Sequence, residues 1–460
     1  MIKKIVLMSL ILSQLAISCS SDDSTEETKP ETEQTLAEQI ANIIKQPYSK
    51  LTPAEQKTKL EIEANDMLVQ LDKSKSSGAI EAIENLGRLF SLKHIDLFDG
   101  KSDNGISEVL EISGVYGIYT WNNAQQNWSK TASTTELKFV FPAKESQTTN
   151  NATLSSKSTS STIKFENIDT YGEWVYNPET GGSYTPSVYD WFYLPTSVDA
   201  ALTIDGNPAA TLASTAKYST VNESPDEFSY KVFLNDGYTW EMSGKKGTET
   251  TAKAAFTFNG KNLIEFNSGT TAQIDALIDN DEIAAYKGKA NGLVKIMDNF
   301  IIVADADLAT EAADEEALYK SIVRPSYPDY SSANANFKAY YTALNTYEKK
   351  ESEGSVANFN KNIKLILVSK KDGTKIAEIV KHSEVRGNYV FNLPVWVSDS
   401  PSYGYWTTPA NGEKFTQPYN EEIHYLKFND NTEVEMSAYF SSGFENLETK
   451  FEDFAKAFQK

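Results

Sequence analysis

The chain has 460 residues, a formal net charge of -21 and an aromatic content of 12%. An acidic balance of this size opposes binding to nucleic acid and to anionic lipid headgroups, and no cluster of lysine or arginine offsets it. The length suffices for two or three domains with a substantial core. Cys19 is the single cysteine, which excludes an internal disulfide.

The first 18 residues have the pattern of a secretory signal peptide. Lys3 and Lys4 supply the basic start, and an apolar run over residues 5–12 follows. This run is too short to span a membrane. No later apolar stretch approaches the roughly 20 residues that a spanning helix needs. The sequence therefore predicts export without a transmembrane helix.

The end of this segment carries a second signal. Residues 16–19, Ala-Ile-Ser-Cys, resemble the lipobox of bacterial lipoproteins, although the family prefers a larger aliphatic residue at the position of Ala16. The resemblance implies that the thiol of Cys19 takes a diacylglycerol and that the membrane is contacted through the lipid anchor. The alternative is an ordinary signal peptide with Cys19 as a free thiol.

The residues after Cys19 resemble the acidic export tag that directs lipoproteins of Bacteroidota to the outer face of the outer membrane. The tag comprises Ser20, Ser21, Asp22 and Asp23. The resemblance implies a lipid-anchored, cell-surface protein of the outer membrane; a periplasm-facing anchor is the alternative. Residues 20–34 are polar throughout, so we expect a solvated stem, with the first folded element near Leu36.

A helix start follows the stem. Thr52 is placed as N-cap, Pro53 as first helical residue and Glu55 as capping-box partner. Apolar residues then recur at helical spacing on both sides of Gly78, which predicts a helical hairpin over residues 53–93. Residues 51–57 after a secreted stem also resemble the opening of uncharacterised Bacteroidota lipoproteins, a resemblance that names no activity.

From residue 105 to residue 268 the pattern changes to an alternation of apolar and polar residues, as in residues 136–141. This period is typical of strands, and turn dipeptides such as Asp205-Gly206 and Asn259-Gly260 predict hairpins between them. Because no helix-length pattern separates the strands, an antiparallel meander is favoured over parallel crossovers.

The expected fold class is α+β, with an N-terminal helical hairpin, antiparallel β-meander sheets and a C-terminal amphipathic helix over residues 444–458. The predicted organisation is a lipoprotein signal peptide at 1–18, a disordered stem with a short helix at 19–50, a helical hairpin plus antiparallel β domain at 51–270, a mixed and mainly helical segment at 271–355, and a β-hairpin sheet with a C-terminal helix at 356–460. Residues 230–243 and 425–437 echo each other. Duplication and convergence of two hairpins are both compatible with the echo.

Motifs for catalysis, metal binding and cofactor binding are missing from the sequence. The three histidines, His94, His382 and His424, lack metal-ligand spacing, and there is no phosphate loop, nucleophile elbow or HExxH motif. The acidic groups at residues 279–281 and 305–307 do not continue into an EF-hand pattern. We therefore assign no catalytic residue, no metal and no cofactor. A glycosidase carboxylate pair stays open, because its spacing exists only in three dimensions.

Aromatic residues are concentrated in two segments broken by glycine and proline, near residues 171–193 and 396–406. The candidate ligand-binding residues are Trp174, Tyr176, Tyr184, Trp396, Tyr403, Tyr405 and Trp406. Aromatic rings at a sheet rim suit contact with glycans or proteins. Strands also favour aromatic residues for packing alone, so core packing is the alternative.

These observations favour a non-catalytic binding or accessory lipoprotein at the cell surface, with a glycan or protein ligand. A second hypothesis is a carrier that holds apolar ligands in the cavity of a curved sheet, an arrangement that resembles bacterial lipoprotein-carrier folds. A third is a glycan-active or peptide-cleaving hydrolase built from carboxylates without a motif.

Overall fold

The computed structural model describes residues 35–74, 77–95, 113–171, 175–178, 181–184, 187–219, 224–273, 287–297, 299–400, 403–441 and 444. Over these ranges the protein is α+β, as the sequence predicted, with a large antiparallel sheet and six helices. The helices are α1 (Leu36–Ile44), α2 (Pro53–Ser74), α3 (Gly78–Leu92), α4 (Leu308–Ser321), α5 (Phe337–Asn362) and α6 (Met436–Tyr439).

Twenty strands are described. They are β1 (Gly117–Asn122), β2 (Asn127–Thr131), β3 (Leu137–Phe141), β4 (Ala152–Tyr171), β5 (Val175–Asn177), β6 (Gly182–Tyr184), β7 (Ser187–Ile204), β8 (Asn207–Lys217), β9 (Glu227–Leu234), β10 (Tyr238–Lys245), β11 (Thr250–Phe258), β12 (Lys261–Thr270), β13 (Lys289–Ile296), β14 (Phe300–Asp307), β15 (Ile363–Ser369), β16 (Thr374–Asn392), β17 (Val395–Ser400), β18 (Tyr403–Thr407), β19 (Lys414–Lys427) and β20 (Glu433–Glu435).

Sixteen of the strands form one sheet, in the order β2-β1-β3-β4-β7-β8-β9-β10-β11-β12-β13-β14-β15-β16-β19-β20. Neighbours are antiparallel except β1 and β3, which are parallel. The strand β12 pairs with β13 through Ile264 and Ile296, so strands from both sides of residue 270 share this sheet. The division into domains stays a prediction. The strands β5–β6 and β17–β18 form two separate small hairpins.

The two predicted turn dipeptides close two-residue hairpin loops. In the loop between β7 and β8, Asp205 has φ 52° and Gly206 has φ 77°. Between β11 and β12, Asn259 has φ 50° and Gly260 has φ 73°. Positive φ at both central residues matches the right-handed twist of paired strands, and Asp-Gly and Asn-Gly tolerate it best. These loops fix the register of their hairpins.

The connections divide between the two ends of the sheet. The loops β7–β8, β9–β10, β11–β12, β13–β14 and β15–β16 lie at one end, which we call the turn end, because successive antiparallel strands alternate in direction. The link from β14 to β15 through α4 and α5 lies at the opposite end, which we call the arm end, as do the connections β4–β7 and β16–β19.

Helices cover both faces of the sheet. On β14, Ile301 and Val303 share a buried cluster with Ile40 of α1. Phe300 and Ile302, the alternate residues of the same strand, pack in a different cluster that includes Leu60 of α2. Successive side chains of a strand point to opposite faces, so α1 and α2 lie on opposite sides of the sheet. We call the α2 side the front face and the α1 side the back face.

The helix α2 begins as the sequence predicts. The Thr52 backbone amide donates to Glu55 Oε2 at 2.8 Å, and the Glu55 amide donates to Thr52 Oγ1 at 3.4 Å. This reciprocal capping box satisfies two of the amides that a helix start leaves without partners. The backbone hydrogen bond from Thr52 holds the pKa of the Glu55 carboxyl below its usual range.

The helix α2 connects distant parts of the sheet. Near its start Lys59 Nζ lies 2.8 Å from Asp372 in the β15–β16 turn. Near its end the Tyr238 hydroxyl of β10 donates to the Gln70 carbonyl at 2.5 Å. The helix therefore contacts both β10 and the β15–β16 turn on the front face, along the turn end.

The two halves of α2 bury their apolar residues in different clusters. Leu60 and Ala64 pack with strands β14 to β19, whereas Met67 and Leu68 pack with α3 and strands β1 to β12. In the second of these clusters Phe139 is fully buried, with Phe90 and Tyr119 against its ring at centroid distances of 5.2 and 5.3 Å.

Several local predictions are confirmed by the described elements. The first folded element begins at Leu36, and the predicted helices around Gly78 are α2 and α3. In the segment at 271–355 the structure describes the helix α4, which begins at Leu308, and the start of α5 at Phe337, besides strands β13 and β14. The predicted C-terminal helix lies outside the described residues apart from Phe444. No helix in the described ranges has the length and apolar composition to cross a membrane.

We expect Phe139→Ala to lower the free energy of unfolding by about 3 to 5 kcal/mol, because it removes a buried ring from a packed aromatic cluster. Phe233→Ala is the matched control, since that ring is 46% exposed on β9, and it should cost less than about 1 kcal/mol. Urea denaturation measures both changes. Equal losses in the two variants would contradict the assignment of Phe139 to the core.

Candidate functional site

The longest strand pairs of the sheet carry the two aromatic segments. Strands β4 and β7 stay paired as far as Tyr171 and Ser187, and β16 and β19 as far as Asn392 and Lys414. We call these pairs arm 1 and arm 2. The hairpin β5–β6 follows the end of arm 1, and β17–β18 follows the end of arm 2. Both small hairpins therefore connect at the arm end.

The predicted ligand-binding residues lie on these small hairpins where the structure describes them. Tyr176 is on β5 and is 63% exposed. Tyr184 is on β6, but its side chain lies outside the described set, as does Trp174 altogether. On arm 2, Trp396 is on β17, and Tyr403, Tyr405 and Trp406 are on β18. Measured along the sheet, the nine spacings from β7 to β16 separate the arms by about 43 Å.

The hairpin β17–β18 has an inner face that packs against the start of α5. Trp396 and Trp406 are cross-strand partners, with ring centroids 5.7 Å apart. The Trp406 ring lies edge-on to Phe337 of α5 at 4.6 Å, and its indole Nε1 donates to the Ser332 carbonyl at 3.2 Å. For these two tryptophans the core-packing alternative describes the contacts better than a binding rim does.

Gly404 is required by this packing. A Cβ atom at this position would lie 2.5 Å from the Trp396 indole, closer than carbon atoms approach without displacement. The Trp396 ring therefore covers the Gly404 backbone on the neighbouring strand. Any side chain here would push Trp396 away from the inner face.

The outer face of the same hairpin is open to solvent. Tyr405 pairs with Val397, and both point away from the tryptophans because side chains alternate along a strand. Tyr405 is 48% exposed and Tyr403 is 61% exposed. Val395 and Val397 are exposed beside them. Large apolar and aromatic side chains grouped on a surface mark a site of interaction more often than isolated ones do.

Sequence reasoning missed a polar network at the base of arm 2. His382 Nε2 donates to Glu433 Oε2 at 2.6 Å, and Arg386 donates to Glu435 at 2.5 Å. The Tyr425 hydroxyl donates to Glu384. The signal available in the sequence was the alternation of charged residues along residues 382–386. Their partners lie about 50 residues further along the chain and cannot be paired without the fold.

The network lies on the back face. On β16, Ala377 and Ile379 belong to the front-face cluster, and Lys381 lies 4.4 Å from the ring centroid of Phe359 on α5. The alternate residues, including His382 and Glu384, therefore point to the other side. The described contacts of α1 are with β12, β13 and β14, away from this part of the face.

Tyr425 acts as a hydrogen-bond donor here. Its hydrogen bond to Glu384, with burial and the charge of Glu384, raises the pKa of the Tyr425 hydroxyl to about 12. The hydroxyl therefore stays protonated at neutral pH and cannot act as a base. Hydrogen bonds from Ser437 and Arg386 lower the pKa of Glu435, which keeps that carboxylate ionised.

The residues that the structure describes contain no candidate metal site. No group of three or more His, Cys, Asp or Glu side chains in those ranges could hold an ion. Of the acidic groups considered in the sequence, residues 279–281 lie outside the described ranges. Asp307 is the N-cap of α4 and accepts from the Thr310 amide at 3.0 Å, which lowers the pKa of its carboxyl.

One cavity of about 280 Å³ lies at the turn end, between the start of α3 and the loops β7–β8 and β9–β10. It is lined by Gly78, Ala79, Ile204, Asn207, Pro208, Ala209, Asn235 and Asp236. Its volume is just below the range of about 300 to 1,000 Å³ typical of sites for small organic ligands. Three of its eight lining residues are polar, and the cavity is open to solvent, so it is not a closed chamber.

Comparisons with known proteins give no relative. No family model matches the chain, and neither the curated proteins nor the solved structures contain a significant match.

We expect Trp406→Ala to lower the free energy of unfolding by about 2 to 4 kcal/mol, because a partly buried indole that packs on Phe337 is lost. Tyr405→Ala, one residue away on the outer face, should change it by less than about 1 kcal/mol. Chemical denaturation followed by fluorescence measures both. A larger loss in Tyr405→Ala than in Trp406→Ala would reverse the assignment of the two faces.

Proposed function

We propose that the protein is a lipid-anchored lipoprotein at the outer face of the outer membrane, where it binds an extracellular glycan or protein as a non-catalytic module. The anchor is Cys19, the export signal is residues 20–23, and the body begins at α1. The ligand contacts are the outward aromatic residues of the small hairpins at the ends of arm 1 and arm 2.

The position of the aromatic hairpins carries this proposal. Both lie beyond the ends of long strand pairs, at the end of the sheet opposite the β7–β8, β11–β12 and β15–β16 turns. The inner tryptophans of β17–β18 hold the hairpin against α5, and this leaves Tyr403 and Tyr405 to face solvent on a fixed support. A rigid aromatic platform loses little conformational entropy when it binds.

The net charge of the protein limits the class of ligand that it can bind. With a net charge of -21, the surface disfavours polyanions, including nucleic acid and acidic polysaccharides. A neutral glycan or a protein with a neutral or basic surface fits better. The alternative of a carrier for apolar ligands draws no support from the cavity beside α3, because the cavity is open to solvent and its volume of about 280 Å³ is small for an acyl chain.

Anchoring is tested by Cys19→Ala. This variant should leave the membrane fraction or keep its signal peptide, since the acyl chains are the only hydrophobic anchor that we propose. Asp22→Ala with Asp23→Ala should keep the lipid but lose surface exposure, and Glu26→Ala with Glu27→Ala is the charge-matched control. Fractionation and protease treatment of intact cells measure both properties. If the Asp22/Asp23 variant stays accessible to external protease, the export tag is wrong.

Ligand contact at the end of arm 2 is tested with Tyr403→Ala and Tyr405→Ala. Each should weaken binding by about 1 to 3 kcal/mol, the cost of removing an aromatic contact at an interface, while the melting temperature stays unchanged. Tyr116→Ala, at a surface tyrosine that precedes β1, is the control. A glycan microarray and pull-downs from outer-membrane extracts identify the ligand. The binding function is refuted if folded protein captures nothing in either experiment.

A further inference from the structure

The outer half of arm 2 has one face that packs on α5. Phe391 and Phe415 meet the Tyr341 ring at centroid distances of 4.8 and 5.6 Å, and Gln417 donates to Glu348 at 3.0 Å. Phe391 and Phe415 are cross-strand partners, so they share this face. Side chains alternate along a strand, and the intervening residues therefore point away from this part of the helix.

We call the opposite side the bare face. It comprises Val385, Asn388 and Val390 on β16 and their partners Asn420, Pro418 and Thr416 on β19. Val385 belongs to it because the bulge at Arg386 shifts the alternation of β16 by one residue. Val385 is 58% exposed and Val390 is 59% exposed. Toward the base of arm 2 the face ends where Ser383 Oγ lies 2.7 Å from Ser352 Oγ of α5.

The hairpin β17–β18 extends the bare face. The hairpin meets α5 at Phe337, and arm 2 meets it at Tyr341 and Glu348. These three helix positions are spaced by four and seven residues, so they lie on one face of α5. The inner face of the hairpin and the packed face of arm 2 therefore lie on the same side of the helix. Their opposite sides, the outer face of the hairpin and the bare face, point away from it together.

Exposed apolar side chains dominate this combined surface. They are Val385, Val390, Val395, Val397, Tyr403 and Tyr405. Neither part contains a charged side chain, although charged residues make up 23% of the chain, and Asp399 and Lys414 lie at its border. Each part is about 17 Å long and two strands wide, which gives about 350 Å² in total. Apolar patches of a few hundred Å² are commonly sites of interaction.

The composition of the surface favours a protein partner over a glycan. Valine and proline side chains have neither an aromatic ring on which a sugar can stack nor a group that binds its hydroxyls. A protein interface, in contrast, is depleted of charged residues at its centre and enriched in tyrosine. Pro418 also has no N–H to donate, so a partner strand cannot complete a ladder along β19 and contacts the face instead.

A second copy of the chain fits this surface less well than a different protein does. Each copy has a net charge of -21, so two copies repel each other. A stable interface covers about 800 Å² on each partner, more than twice the area of this surface. Smaller interfaces are typical of transient complexes.

We propose that the bare face and the outer face of β17–β18 form one surface that binds an uncharged, apolar patch of another cell-surface protein in a transient complex. This inference rests on the proposed binding function and specifies protein as its ligand class. Val390 and Val397 lie within the contact, and the inner tryptophans hold the hairpin in place beside it.

Site-specific crosslinking in intact cells identifies the partner. The photoreactive residue p-benzoylphenylalanine replaces Val390 or Tyr405 in the full chain, and it replaces Tyr116 in the control. We expect the first two positions to link to the same protein and the control not to link to it. Links to a second copy of the chain, or to different proteins from the two positions, would overturn the proposal.

Binding of the crosslinked protein is then measured with both proteins purified and the full lipidated chain held in detergent. Val390→Asp and Val397→Asp should each weaken binding about tenfold or more, because each places an unpaired charge in an apolar contact. Val69→Asp, at a 55% exposed valine on α2, is the matched control and should bind as the unchanged protein does. The two face variants should lower the melting temperature no more than the control. The affinity should change less than about threefold from 50 to 500 mM NaCl, because the contact contains no ion pair.

The outcomes separate this proposal from the binding function. Unchanged binding by both valine variants would overturn the bare face while the binding function stands. A neutral glycan as the sole ligand would do the same. A protein that salt releases would show that charged groups form the contact, which would also overturn the bare face. The absence of any ligand, protein or glycan, would refute both proposals together.

Discussion

The sheet has two apolar faces, and the structure depends on covering both of them. A sixteen-stranded open sheet exceeds the size at which strongly twisted sheets usually curl or split. Here α1 closes part of the back face, and α2 packs on the front face. Because the two halves of α2 pack in separate clusters, this helix joins two cores of the front face, which the side chain of Ile296 also contacts.

The packing of α5 on the sheet determines which side chains of arm 2 face solvent. The helix α5 packs on β15, β16 and β19, and the ring of its first residue, Phe337, contacts the Trp406 ring. The hairpin β17–β18 is thereby held by one face. At the base of arm 2 the His382 and Glu433 side chains of the polar network remain partly exposed. Further along arm 2, α5 packs on Phe391, Phe415 and Gln417 through Tyr341 and Glu348.

Local structure could be predicted from the sequence because its causes are local. The capping box of Thr52 and Glu55 and the turn dipeptides Asp205-Gly206 and Asn259-Gly260 act within four residues, and each forms as expected. The alternation of side chains along β18 also places Trp406 and Tyr405 on opposite faces of the hairpin. It does not show which face is buried, because the covering residue is Phe337, about 70 residues earlier in the chain.

The polar network on the back face could not be predicted for a related reason. Its pairs join β16 to β20 across the intervening strand β19, so their spacing in sequence is set by the length of arm 2 and by the hairpin inserted in it. Single charges along strands normally indicate a solvated face. Only the register of β16 with β19 brings the His382 and Tyr425 rings together.

The path of α2 also sets an order of events during folding. Most strands pair with neighbours in sequence and can do so as soon as each hairpin has emerged. The contacts of Lys59 with Asp372 and of Glu63 with Lys371 close loops of more than 300 residues, which is slow because of the loop entropy. The first half of α2 can therefore pack only after β15 and β16 have been made, although it is among the earliest segments of the chain. Until about four-fifths of the chain is available, Leu60 and Ala64 therefore lack the strands that bury them, so the two cores of the front face can be joined only late in folding.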